Sequence, residues 1–162
     1  MIIRLLLLAS LMVTQNTSKR ISAQGMEVSW EYTESEMVSF TLKAPLQGWV
    51  AIGFNEKQAL SDTWLLMARV QNGKAEVIEH YVRAPGDYVP TATYGDTSGI
   101  VQVRGRETSE GTELSFTLPV NPTSPRQKSL EEGRAYHLLL AYSVDDDFAH
   151  HSRMRTSKQV TL

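Results

Sequence analysis

The stretch from Gly48 to Val82, GWVAIGFNEKQALSDTWLLMARVQNGKAEVIEHYV, constrains the fold more than any other part of the chain. It reads as three β-strands in succession. Trp49 to Phe54 is an unbroken apolar run that ends in a charged, turn-prone loop, Asn55 to Ser61. Asp62 to Val70 is long enough to cross a sheet. Asn72-Gly73 then separates two apolar runs, a strong hairpin signal because both residues tolerate positive φ. Ala75 to Val82 returns as the partner strand.

The rest of the chain repeats the β pattern. Met26 to Thr33 (MEVSWEYT) puts Met26, Val28, Trp30 and Tyr32 on one face, and Met37 to Leu42 does the same after a turn at Glu34-Ser35-Glu36. Alternation at period two is what a half-buried antiparallel strand requires. Gly99 to Arg104 and Thr112 to Leu118 alternate likewise, Tyr136 to Ser143 is a buried-type strand, and Lys158 to Leu162 closes the chain. Arg83 to Ser98 carries Pro85, Gly86, Pro90 and Gly95 and shows no period, so it reads as a long loop, either functional or disordered. Asn121 to Gly133 is a second long connection. No amphipathic helix and no internal repeat interrupts this series. Many short strands between turn clusters predict an all-β fold, an antiparallel β-sandwich of about nine or more strands.

The 162 residues suit one domain. Met1 to about Gln24 reads as a signal peptide: Arg4 is the positive start, Leu5 to Val13 the apolar run, and Ser22-Ala23-Gln24 the cleavage region. The apolar run is shorter than the roughly 20 residues of a membrane span. The expected mature domain is therefore 25–162, periplasmic or extracellular, with no membrane span after cleavage. A net charge of −2, from 16 basic and 18 acidic side chains, leaves no electrostatic footprint for nucleic acid. The absence of cysteine excludes disulfides, zinc–thiolate and iron–sulfur sites, a cysteine nucleophile and covalent haem attachment.

Few residues offer chemistry. His80 and His137 fall inside strands and read as structural histidines. His150 and His151 lie on a loop after Asp145-Asp146-Asp147 and before Ser152-Arg153-Met154-Arg155, where an imidazole can serve a metal or haem iron. The aspartates lack the spacing, glycine and distal glutamate of a calcium loop and read as a solvated turn. No phosphate loop, HExxH or GxSxG motif is present, so the expectation is a binding module and not an enzyme. Trp30, Trp49 and Trp64 sit on strands, where core packing is the default and a sugar-stacking platform the alternative.

With GWVAIGF, the loop to Ser61-Asp62, a long strand, Asn72-Gly73, Glu79-His80-Tyr81 and the C-terminal HLLLAYS–acidic loop–histidine–basic series, the sequence resembles the DOMON domain. This is the dopamine β-monooxygenase N-terminal type of domain, related to the cytochrome domain of cellobiose dehydrogenase. The resemblance implies a sandwich whose pocket holds haem b, or a carbohydrate-like small ligand, with a methionine in the loop after the GF strand and a histidine before the last strand as axial ligands. That set supports electron transfer with a separate redox partner. On this sequence the histidine corresponds to His150 or His151, and the methionine slot holds Gln58. Met67, on the next strand, reads as core. Asp62 matches the aspartate that holds the strand start. Tyr88, Tyr94 and Phe148 are the aromatics near the pocket-facing loops, and the readings without haem are a small-ligand module or a secreted protein-interaction domain.

Overall fold

The computed structural model describes residues 19–33 and 35–162; residues 1–18 of the expected leader, and Glu34 of the expected turn, lie outside the described residues. Two antiparallel sheets form the sandwich. One has five strands in the order β1 (Lys19–Ala23), β2 (Met26–Tyr32), β3 (Met37–Ala44), β9 (Gly111–Pro119) and β8 (Val101–Thr108). The other has six, in the order β11 (Met154–Thr161), β10 (Ala135–Tyr142), β4 (Val50–Asn55), β5 (Trp64–Gln71), β6 (Lys74–Ala84) and β7 (Asp87–Pro90).

Alternation builds the core between the sheets. Val28, Trp30, Phe40, Leu42, Leu114 and Phe116 face inward from the five-stranded sheet, and Ile52, Phe54, Trp64, Leu66, Leu138 and Leu140 from the other. Phe40 meets Phe54 edge-on across the gap with ring centroids 5.3 Å apart, and Phe54 packs on Trp64 at 5.5 Å and on Tyr136 at 6.5 Å. Each such buried side chain contributes about 1.5–3 kcal/mol relative to exposure. The Asn72-Gly73 turn joins β5 to β6 as expected, with φ of 53° and 72° at its two central residues.

The two long connections are ordered by hydrogen bonds to each other and to a buried carboxyl. Glu79, on β6 and 4% exposed, accepts hydrogen bonds from Trp64 Nε1 at 3.0 Å, Ser98 Oγ at 2.7 Å and Gln127 Nε2 at 2.9 Å. Gln127 Nε2 also donates to the Thr97 carbonyl, and Arg126 clamps both oxygens of Asp96. Losing this acceptor would leave buried donors unpaired, at about 1–3 kcal/mol each.

Two sequence expectations need correction. Arg83 to Ser98 is not a structureless loop: β6 runs on to Ala84, β7 turns back to pair with it, and Thr91–Tyr94 forms a short 3₁₀ helix. A four-residue edge strand ending in Pro90 is too short to show a period. The last strand begins at Met154 and not at Lys158, with Met154 buried in the core and Arg155 on the opposite face. The sheets also contain β1, formed by residues that the leader expectation had set aside.

That edge strand pairs with β2 over its whole length, from Lys19↔Trp30 to Ala23↔Met26, and Ile21 and Ala23 pack against the core. A chain beginning at Gly25 is therefore expected to be less stable than one beginning at Lys19 by about 2 kcal/mol, which lowers the melting temperature by roughly 5–10 °C. Calorimetry of the two chains checks this. Equal melting temperatures would show that β1 adds nothing to the fold.

Candidate functional site

The outward face of the six-stranded sheet is apolar too. Trp49, Ala51, Leu65, Met67, Val82 and Ala141 form a second buried cluster there, against which Leu60, Tyr88, Leu139 and Phe148 pack. The register explains its shape. Arg155, Ala141, Ala51, Met67 and Ile78 lie in one row across β11, β10, β4, β5 and β6. The adjoining row runs Ser157, Leu139, Gly53, Leu65 and His80. The two alanines leave a hollow between larger neighbours. Gly53 adds no room, because a Cβ there would lie 2.7 Å from Thr63 Cγ2 and 3.1 Å from Leu139 Cβ.

A loop roofs this hollow, and the sheet holds it by its backbone. Arg69 Nη1 donates to the Asp146 carbonyl at 3.1 Å, Tyr88 Oη to that of Phe148 at 2.8 Å, Trp49 Nε1 to that of His150 at 3.2 Å and Ser143 Oγ to that of His151 at 3.1 Å. The Arg69 guanidinium also lies over the Phe148 ring, 4.6 Å from its centroid, while pairing with Glu76. Gly48 lets the chain enter β4 beneath the loop: at φ 140°, a Cβ there would come within 2.6 Å of Asp145 N. Asp145 and Asp147 each spend a carboxylate oxygen on a backbone N–H of the loop itself. Among the described residues, no group of three or more His, Cys, Asp or Glu is arranged to hold a metal ion.

The resulting pocket has a volume of about 240 Å³. Its floor includes Trp49, Ala51, Met67 and Ala141, its walls Leu60 and Tyr88, and its roof His150 and His151, with Arg155 at the rim. The expected histidines thus share one cavity. Both are exposed, and neither ring hydrogen-bonds another described residue. Met67, read from sequence as core, lines the same cavity from below and is 2% exposed. Gln58 is not in this pocket. It lines a neighbouring cavity of about 200 Å³ with His137 and Ser157, and Leu60 and Leu139 border both spaces.

Gln58 is held there by a well-built loop. The Asn55 amide donates to the carbonyls of Ala59 and Ser61 and to Thr63 Oγ1, all at 3.0 Å, and its oxygen accepts from Lys57 N. Asp62, at φ 67°, gives its N–H to the Val82 carbonyl, and its carboxylate meets Lys128 at 3.2 Å and Tyr81 Oη at 3.3 Å. This is the anchoring of the strand start expected for it. Tyr94 stands apart from the pocket, stacked under Arg126 at 3.7 Å. Trp30 and Trp64 are buried in the core between the sheets, and Trp49, also buried, lines the pocket.

The DOMON domain profile matches residues 22–143. The chain belongs to the DOMON domain family. The match ends short of the histidine pair. The DOMON fold seen here resembles the cytochrome domain of Myriococcum thermophilum cellobiose dehydrogenase, with a TM-score of 0.61 and 12% identity, covering 90% of this chain and 81% of that one. It also resembles the cytochrome b domain of pyranose dehydrogenase from Coprinopsis cinerea, with a TM-score of 0.60, 10% identity and coverages of 88% and 80%. At these identities the likeness is one of fold. No curated protein matches the chain.

His80 supports the roof of this DOMON pocket. It is buried, its Nδ1 is 3.1 Å from the Ile78 carbonyl, and its ring meets Tyr88 and Phe148 edge-on at 5.5 and 6.2 Å. Burial holds its pKa below the ordinary 6.5, against the opposing pull of that carbonyl. The folded state then binds the proton more weakly than the unfolded chain. The stability due to neutral His80 is present above pH 6.5 and is lost as the pH falls from there through the lowered folded value. The melting temperature of His80→Phe is expected to fall less than that of the parent between about pH 7 and pH 5. Parallel melting curves for the two proteins would rule out this linkage.

Proposed function

We propose that this chain is an exported, non-catalytic DOMON module whose outer-face pocket takes haem b, for electron transfer with a separate redox partner. The observation that carries the reading is the placement of His150 and His151 above an apolar floor that contains Met67. An imidazole and a thioether are the donor set that stabilises a low-spin, six-coordinate haem iron. Where the resemblance puts a methionine at the position of Gln58, the side chain of Met67 lines the pocket instead. The apolar floor suits a porphyrin face, and Arg155 offers a cation at the rim.

Size is the demanding part of the fit. About 240 Å³ is below the roughly 300–1,000 Å³ of pockets that hold drug-sized ligands. The space of about 200 Å³ beyond Leu60 and Leu139 adjoins it. A porphyrin would draw on both, whereas a smaller apolar ligand would need only the first. That volume is what favours the second reading, a small-ligand module without haem. No helix among the described residues is long and apolar enough to cross a membrane. Under the proposed export, β1 remains part of the mature domain.

The test is the absorption spectrum of the full chain expressed with haem available and recovered from the periplasmic fraction. A Soret band with sharp α and β bands on reduction is expected, together with a change to a high-spin spectrum in Met67→Leu. The band is expected to be lost in His150→Ala or His151→Ala, whichever removes the ligand. A folded, colourless protein would overturn the haem reading in favour of the small-ligand one, and retention in the cytoplasm would contradict export.

A further inference from the structure

The charge distribution around the pocket is one-sided. His150, His151 and Arg155 are its basic lining residues, and no carboxylate is among the described residues that line it. This holds in a chain whose net charge is −2, so the bias belongs to the pocket and not to the surface at large. Of the nearby acids, Asp145 and Asp147 accept hydrogen bonds from their own loop, Glu76 pairs with Arg69, and Asp146 has a buried carboxylate oxygen that does not line the pocket. Arg155 forms no ion pair among the described residues. It stands on β11 directly across from Ala141, which is part of the pocket floor.

A guanidinium without a partner, beside an apolar floor, satisfies its donors best with a planar two-oxygen acid group. We propose that the pocket selects an amphipathic monoanion or dianion: an apolar, flat body that lies on Ala51, Ala141 and Met67, with a carboxylate that reaches Arg155. Ser152 and the two histidines, which line the same rim, are further polar neighbours for that head group. The inference rests on this pocket being the ligand site, but not on the ligand being haem. An apolar carboxylic acid without a metal meets the same requirements.

Arg155 is not distinguishable in the sequence as a pocket residue. Arg153 to Arg155 read there as a basic stretch before the last strand, whereas Arg155 is part of the sheet, with Met154 facing the core beside it. An exposed side chain on β11 can be changed without disturbing the backbone pairing to β10.

The experiment compares 1-pyrenebutyrate with 1-pyrenebutanol, which share an apolar body and differ in the carboxylate, by titration against the full chain and its Arg155→Gln variant. Tryptophan-to-pyrene energy transfer is the readout, with Trp49 in the pocket floor. The parent is expected to bind the carboxylate about tenfold or more tightly than the alcohol, the range of one charge-assisted hydrogen-bonded pair. Arg155→Gln is expected to remove that preference while the alcohol binds as before, at an unchanged melting temperature. Equal binding of the two probes by the parent, a preference that survives Arg155→Gln, or binding of neither probe would overturn the proposal. A carboxylate preference in a protein that forms no Soret band sinks only the haem reading; a Soret band without the preference sinks only this one.

Discussion

A strand buried on both of its faces is the constraint on which the rest of this structure depends. Every residue of β4 is buried. One face, Val50, Ile52 and Phe54, belongs to the core between the sheets, and the other, Ala51 and Gly53, faces outward. A sandwich covers only the first. The second must be covered by connections, and the chain supplies three: the Asn55-organised loop, the β6–β7 hairpin and the roof from Asp145 to His151. Because two of the residues beneath the roof, Ala51 and Ala141, are small, the cover does not close completely, and the remaining space is the pocket.

The roof is fixed through its carbonyl groups, not through its side chains. Arg69, Tyr88, Trp49 and Ser143 take the carbonyls of Asp146, Phe148, His150 and His151. That leaves both imidazoles exposed and without protein partners among the described residues. His80, Tyr88 and Phe148 form the aromatic support on one side.

Much of the fold was legible because alternation at period two reports burial directly. The Met26, Met37 and Thr112 strands were found that way, and the Asn72-Gly73 hairpin by its turn chemistry. Period two fails where both faces are apolar. Met67 is buried as expected, but WLLMA gives no hint of which residue faces which way, and only the register places it in the outer-face cluster beside Ala51. Short edge strands failed for a different reason. Four residues of β7 ending in proline carry no period, and β1 followed so closely on an apolar leader-like run that it was grouped with it. The histidine pair was legible as candidates from its loop position. Arg155 was not, because nothing in a row of basic residues says which one a strand will turn toward the pocket.

The measurement that tests the central claim most directly fills the hollow without touching any proposed ligand. Ala51→Phe places an aromatic ring on the pocket floor, on a strand whose register and inward face are unchanged. The account predicts that the purified variant keeps its β-sheet circular dichroism and a cooperative melt, yet loses both haem uptake, read at the Soret band, and 1-pyrenebutyrate binding. A folded Ala51→Phe protein that binds either as well as the parent does would show that the outer face of the six-stranded sheet is not where the ligand sits.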